Sequence, residues 1–180
     1  MTALLLALLF QTAPRDVVSS VPTGDLSLSA PRTGVDLRIT DKNITGPNLQ
    51  LGRYGNVLRG TVNHRPAEIR FTENQVSGQI GMGAPLNLHV RPSPQGLFIE
   101  GMFAGVASRM TIGYGVIEGR MGRCEYHLVA NGGPYQGQRT CDYGVTEPVT
   151  VRIPRSLAER PPGELVAVLS ALFLGQRGMF

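Results

Sequence analysis

The chain has 180 residues, enough for one domain, and its 23 Gly and 13 Pro (36 of 180) make up 20% of the sequence. That share is well above the roughly 12% average, and only 17% of residues are charged, which excludes a coiled coil. The 42% apolar fraction excludes a disordered chain. The net charge is +4, but 16 scattered arginines without interleaved aromatic residues do not indicate a nucleic-acid partner.

The N-terminus begins with an apolar run, ALLLALLF, over residues 3–10. Eight apolar residues are too few to span a bilayer, which takes about 20, but they fit the core of a signal peptide. Pro14 disfavours cleavage after Ala13, so we predict a signal peptide over 1–20 that is cut near Ser20. A buried N-terminal helix or strand is the alternative. The stretch 21–34, rich in Pro, Ser and Thr, is predicted to be a linker.

A repeated pattern follows over residues 35–153, in which two short apolar segments flank a polar turn and one glycine keeps a fixed place. The glycines are spaced 14, 18, 23, 18 and 18 residues apart, and the 23 contains an insertion at 91–95. Apolar and polar residues alternate with a period of two, which indicates strands, and short turns on both sides indicate antiparallel neighbours. These structural repeat glycines are Gly46, Gly60, Gly78, Gly101, Gly119 and Gly137.

The repeat predicts an all-β fold, an antiparallel up-and-down meander of about 12 short strands that curls into a barrel-like sheet. A left-handed parallel β-helix, also with about 18 residues per coil, is the rival interpretation. The repeat glycines fall on the apolar face, where they either permit sharp bends or leave room for something inside. The other members of that face are Leu37, Ile39, Leu58, Val62, Ile69, Phe71, Val76, Ile80, Leu86, Leu88, Val90, Ile99, Phe103, Met110, Ile112, Ile117, Met121, Tyr126 and Leu128.

The C-terminal segment, 154–180, contains a predicted helix over about 162–174. Pro162 suits the first helical position and Gly175 suits the C-terminal cap. The helix is apolar on nearly all sides, with only Ser170 breaking the run, and it is too short to span a membrane. We therefore expect it to pack against or inside the curled sheet; a membrane-surface anchor or a partner-binding helix is the alternative.

A meander barrel of about 12 strands around a C-terminal apolar helix is similar in plan to the tubby, LURP-one and phospholipid-scramblase barrels. The resemblance covers about residues 35–174 and concerns architecture, because no motif of those families can be matched residue by residue. It implies a barrel that encloses its own helix.

The two cysteines, Cys124 and Cys141, follow the glycines of successive repeats by five and four positions. Equivalent places in neighbouring repeats come together in the fold, and export favours an oxidising compartment, so we predict a disulfide. Such a bridge stabilises the folded state by about 3 kcal/mol on chain-entropy grounds.

The sequence predicts no catalytic, cofactor-binding or metal-binding residue. His89 and His127 fall on the polar face near Glu125, but no metal-binding spacing such as HxH accompanies them. The apolar face carries almost no ionisable group, although Arg139 points inward by parity. The acid–base candidates all lie outward or in turns: Glu68, Glu73, Glu100 and Glu118.

The sequence therefore favours an exported protein that is not an enzyme and acts as a structural or binding module. The predicted location is the periplasm, the cell surface or the extracellular space, and the partner is an envelope component, a lipid or another protein. The alternative is a barrel that binds lipid or another apolar ligand, with the helix as a plug or membrane contact. A hydrolytic or metal enzyme is the least favoured reading. The sequence does not predict an oligomeric state.

Overall fold

A computed structural model describes residues 25–176, apart from the side chains of Ala84 and Tyr143. The predicted signal peptide over 1–20, with its cleavage near Ser20, lies outside the described residues. Within them, fourteen strands run antiparallel, each beside its sequence neighbour, and β1 pairs with β14 to close the ring. The strands are β1 (Asp25–Ala30), β2 (Thr33–Ile39), β3 (Asn43–Gly46), β4 (Leu49–Tyr54), β5 (Val57–Val62), β6 (Arg65–Phe71), β7 (Gln75–Ile80), β8 (Ala84–Ser93), β9 (Gly96–Phe103), β10 (Val106–Ile112), β11 (Val116–Met121), β12 (Cys124–Val129), β13 (Tyr135–Cys141) and β14 (Val145–Arg152).

The predicted antiparallel meander is confirmed, with fourteen strands in place of about twelve. The parallel β-helix is excluded, because every strand pair in the barrel is antiparallel. The prediction of a linker over 21–34 was wrong where it covers β1 and the start of β2. Leu26 and Leu28 are fully buried, but two leucines among serines are too few for the alternation to be recognised.

Each repeat corresponds to one pair of strands, and its glycine lies on the second strand of the pair, from β3 to β13. A Cβ on Gly101 would lie 2.1 Å from the carbonyl oxygen of Asn87, and one on Gly119 would lie 2.4 Å from that of Arg109. Both glycines have positive φ, +143° and +117°. The backbone of the neighbouring strand therefore fills the place of the side chain, so these glycines serve close strand approach and bending rather than space for a helix.

The C-terminal helices begin after β14 with α1 (Arg155–Ala158), a short turn, followed by α2 (Pro162–Leu174). The predicted helix over 162–174 is confirmed, and all of its residues after Pro162 are buried. It packs against β1, β6, β7 and β8, while the Phe173 ring meets Phe103 of β9 and Tyr126 of β12. Contacts on so many sides place α2 inside the barrel.

The barrel has two ends that differ in what they hold. At the entry end, which includes turns 40–42, 72–74 and 113–115, α2 enters the interior. At the exit end, which includes turns 63–64, 81–83 and 122–123, α2 finishes. All nineteen side chains assigned to the apolar face from the sequence are buried around α2. The core is thus a closed ring of strands packed on one central helix.

Candidate functional site

Four charged side chains form a cluster at the entry end: Asp41, Arg53, Arg160 and Glu164. The Glu164 carboxylate, in the first turn of α2, is 5% exposed; it accepts a hydrogen bond of 2.9 Å from Arg53 Nη2 and forms an ion pair with Arg53 Nη1, also at 2.9 Å. Arg160 bridges Glu164 at 2.5 Å and Asp41 at 3.2 Å. A carboxylate near a helix N-terminus is also favoured by the helix dipole. This entry-end cluster anchors the start of α2 to β4 and to turn 40–42.

The exit-end cluster consists of Thr33, Tyr126, Arg139, Glu147 and Gln176. Arg139 is 4% exposed, and its guanidinium contacts Glu147 at 2.5 Å and donates hydrogen bonds to the side-chain oxygens of Thr33 and Gln176. The Gln176 amide in turn reaches the Tyr126 hydroxyl at 3.5 Å. Burial raises the pKa of the Tyr126 phenol above its usual value of 10. The cluster closes the interior at the end of α2.

These two clusters correct the expectation that the apolar face carries almost no ionisable group. Arg139 points inward as its parity indicated, and its partner Glu147 lies directly opposite on β14. Glu164 was not identified from the sequence as a buried charged residue, although a single acidic residue in the first turn of an otherwise apolar helix could have indicated it. Both clusters lie at the ends of the barrel, where an inward side chain can pair with others instead of meeting the apolar core.

Cys124 and Cys141 are joined by a disulfide between the exit-end termini of β12 and β13. Cys124 is buried and Cys141 is half-buried against the core. Cys124 lies two residues from Tyr126 on β12, so the two side chains share one face of the strand. Cys141 lies two residues from Arg139 on β13 and shares its face in the same way. The bridge therefore lies on the inward side of the wall, next to the exit-end cluster.

The outer wall carries ion pairs across neighbouring strands. On β5 and β6, Glu68 contacts Arg59 at 2.8 Å and Arg70 at 2.7 Å. Hydrogen bonds from Arg70 and then Arg59 hold the pKa of the Glu68 carboxyl below its usual 4.5. Exposed pairs of this kind contribute little stability, so their significance is in the charge pattern they display.

A second group on the outer wall combines charge with an aromatic ring. The guanidinium carbons of Arg91 and Arg109 lie 4.9 and 5.6 Å from the centre of the Phe98 ring, on β8, β10 and β9. Glu100 contacts the same two arginines at 2.6 and 3.6 Å. Stacked guanidinium groups keep their outer edges open to solvent, as their exposure of 63% and 75% indicates. The wall at β8–β10 is therefore an ordered surface of arginine donors.

The sequence-derived histidine candidates do not form one site. His89 lies on β8 and His127 on β12, with three strands between them, and His127 contacts Glu118 at 3.5 Å. Glu125 lies two residues before His127 on the same strand. Among residues 25–176, no three His, Cys, Asp or Glu side chains come together as metal ligands. The outward carboxylates Glu68 and Glu100 each pair with two arginines, as described above.

An open groove runs along the entry end beside the segment that leads into α2. Its walls are Asn56, Phe71, Thr72 and Glu73 on one side and residues 159–162 on the other. The Gly163 amide donates a hydrogen bond of 3.1 Å to the Glu73 carbonyl, and a Cβ on Gly163 would lie 1.7 Å from the Thr72 carbonyl oxygen. The groove is thus formed where turn 72–74 seats the helix.

Comparisons with protein-family models, with curated proteins and with solved structures found no match to this chain. In the part of the chain that the structure describes, no helix has the length and apolarity needed to cross a membrane.

Proposed function

We propose that this chain is an exported, non-catalytic β-barrel that acts as a structural or binding module of the cell envelope or extracellular space. Its interactions with a protein, a lipid or another envelope component take place on its outer surface. The observation that carries the proposal is the use of the barrel interior: the chain's own helix fills it and is anchored at both ends.

The packing of α2 supports an outward-facing role. Leu169, Leu172 and Phe173 are at most 1% exposed, and they occupy the central space that a carrier would offer to a ligand. Close packing of this kind makes the barrel rigid, because moving a buried methylene group out of its place in the core would cost free energy. A rigid wall with fixed arginine positions, such as Arg91 and Arg109, suits recognition of a partner from outside.

The disulfide supports the proposed compartment. Bridges of this kind persist in oxidising surroundings such as the periplasm or the extracellular space, and cytosolic thiol systems reduce them. We expect exported material to contain no titratable thiol and to begin near residue 21, which N-terminal sequencing and thiol titration of fractionated cells would measure. Full-length protein in the cytosol with two free thiols would contradict the proposal.

Native mass spectrometry distinguishes the module from the alternative apolar-ligand carrier. We expect the bare mass of the chain after gentle purification, because α2 leaves the interior filled. A stoichiometric lipid adduct that survives purification would overturn the proposal in favour of the carrier. Phe173→Ala is the matched positive control, since it opens an apolar cavity between β9 and β12 that should take up a small probe such as benzene.

A further inference from the structure

The disulfide lies over the cluster that holds the end of α2. Cys124 and Cys141 each stand two residues from a cluster member, Tyr126 and Arg139, on the inward side of their strands. Two residues of strand span about 7 Å, so the bridge forms the next layer towards the exit end. The disulfide therefore lies one inward-facing layer nearer the exit end than the opposed pair of Tyr126 and Arg139.

The bridge also fastens the strand pair at the place where its ladder stops. The paired residues of β12 and β13 run from Glu125 opposite Thr140 to Val129 opposite Gln136, and the cysteines come next towards the exit end. At this level Cys124 pairs with Met121 of β11 and Cys141 pairs with Val145 of β14, so the disulfide joins β12 to β13 where the ladder between these two strands has ended. These two strands carry both groups that bind Gln176, so opening their ends would disturb the cluster directly.

We propose that the Cys124–Cys141 disulfide is a redox-sensitive latch on α2: its reduction frees the exit end of the helix while the entry end stays anchored. The exit-end cluster depends on exclusion of water, because a buried ion pair is strong only in low-dielectric surroundings. When the cysteines separate, water reaches Arg139 and competes for its donors. The hold on Gln176 then weakens, and the last turn of α2 loosens, although the Asn63 side-chain amide still donates a hydrogen bond of 2.8 Å to the Leu174 carbonyl.

The entry end responds differently, because its anchor is independent of the disulfide. Glu164 is held by Arg53 of β4 and by Arg160, and Gly163 is bonded to turn 72–74. None of these groups lies on β12 or β13. The latch thus acts on one end of the helix, and the asymmetry distinguishes it from general stabilisation by a cross-link.

The chemical step is thiol–disulfide exchange with a dithiol reductant. A thiolate of the dithiol attacks the sulfur of Cys141, the more exposed of the two, and the bond to Cys124 breaks. Cys124 leaves as a thiolate and takes up a proton. The second thiol of the reductant then attacks the mixed disulfide and releases Cys141 as a thiol. The protein gains two electrons and two protons, and the dithiol becomes a disulfide.

Hydrogen exchange on the oxidised protein and on protein reduced with dithiothreitol tests the latch. We expect amides of residues 170–176 to exchange at least about tenfold faster after reduction, while residues 163–167 change less than about twofold. Thiol titration confirms complete reduction, and reoxidation should restore protection. Glu164→Gln is the matched control, because it weakens the entry-end anchor and should shift the effect towards residues 163–167 in the oxidised protein.

Two results would overturn the latch. Unchanged exchange at residues 170–176 after complete reduction would show that the bridge does not control this end of α2. Uniformly faster exchange across the strands, or complete unfolding on reduction, would show a general staple instead of a local device. A Cys124→Ser/Cys141→Ser double variant gives a second measurement without reductant, and protease cleavage confined to the exit end of α2 would support the latch.

Discussion

Ser170 offers the sharpest test of the filled barrel. Its hydroxyl lies in the middle of α2, is 1% exposed, and makes no hydrogen bond within the described residues. A buried polar group without a partner has lost its hydration and gained nothing in exchange. We therefore expect Ser170→Ala to stabilise the protein, whereas most core substitutions destabilise it.

The expected gain follows from three contributions. An unsatisfied buried hydroxyl costs about 1–3 kcal/mol, and removing it recovers that amount. Alanine is a better helix former than serine by about 0.5 kcal/mol. The void left by one oxygen is smaller than that left by a methyl group and costs less than about 1 kcal/mol. The free energy of unfolding should rise by about 1–2 kcal/mol, which corresponds to a Tm increase of about 2–8 °C.

Urea unfolding of the disulfide-bonded protein, followed by circular dichroism, measures this change. Ser156→Ala is the matched control, because Ser156 is exposed on α1 and its substitution should alter the free energy of unfolding by less than about 0.5 kcal/mol. An unchanged or lower free energy of unfolding for Ser170→Ala would mean that the hydroxyl has a partner, and the reasoning would fail.

Three further predictions concern the core. Leu169→Asp should destabilise the fold by about 4 kcal/mol or more, since it buries an unpaired charge; an unchanged Tm would place α2 outside the core. Gly119→Ala should cost about 2–4 kcal/mol because of its positive φ and the Arg109 carbonyl, whereas Gly133→Ala, with open space around it, should be neutral in the same urea assay. Since burial raises the pKa of Tyr126, the contribution of its neutral phenol to the free energy of unfolding is complete below pH 10. Above pH 10 this contribution declines by about 1.4 kcal/mol per pH unit. Tyr126→Phe should flatten the decline of the free energy of unfolding between pH 9 and 11. An unchanged slope in this variant would contradict the assignment of the decline to Tyr126.

The fold class was predictable because one simple rule governs most of the chain. Each strand alternates between the core and solvent, so residues such as Leu88 and Ile99 reveal their inward side by spacing alone. The number of repeat glycines then indicated the number of strand pairs. Strand β1 lacked both signals: it has no repeat glycine, and Leu26 and Leu28 are its only large apolar residues.

The polar clusters were less accessible to sequence reasoning. Arg139 pairs with Glu147 through the register of β13 and β14, which the degraded last repeat did not define. Glu164 meets Arg53 only because α2 threads the barrel from the entry end, and that placement depends on three-dimensional packing. The disulfide could be predicted from the sequence, since its cysteines occupy equivalent places in adjacent repeats.

The closure of β1 on β14 around α2 also dictates an order of assembly. Ser27 pairs with Arg152, so the ring closes through its most distant contact along the described chain, and the helix that fills it comes later still. During synthesis, thirteen strands leave the ribosome before the partner of β1 and the central helix become available. Contacts this remote make folding slow, in the range of milliseconds to seconds. Until α2 emerges, the inward apolar side chains of those strands cannot pack on the central helix, and such exposed apolar surface favours aggregation of the nascent chain.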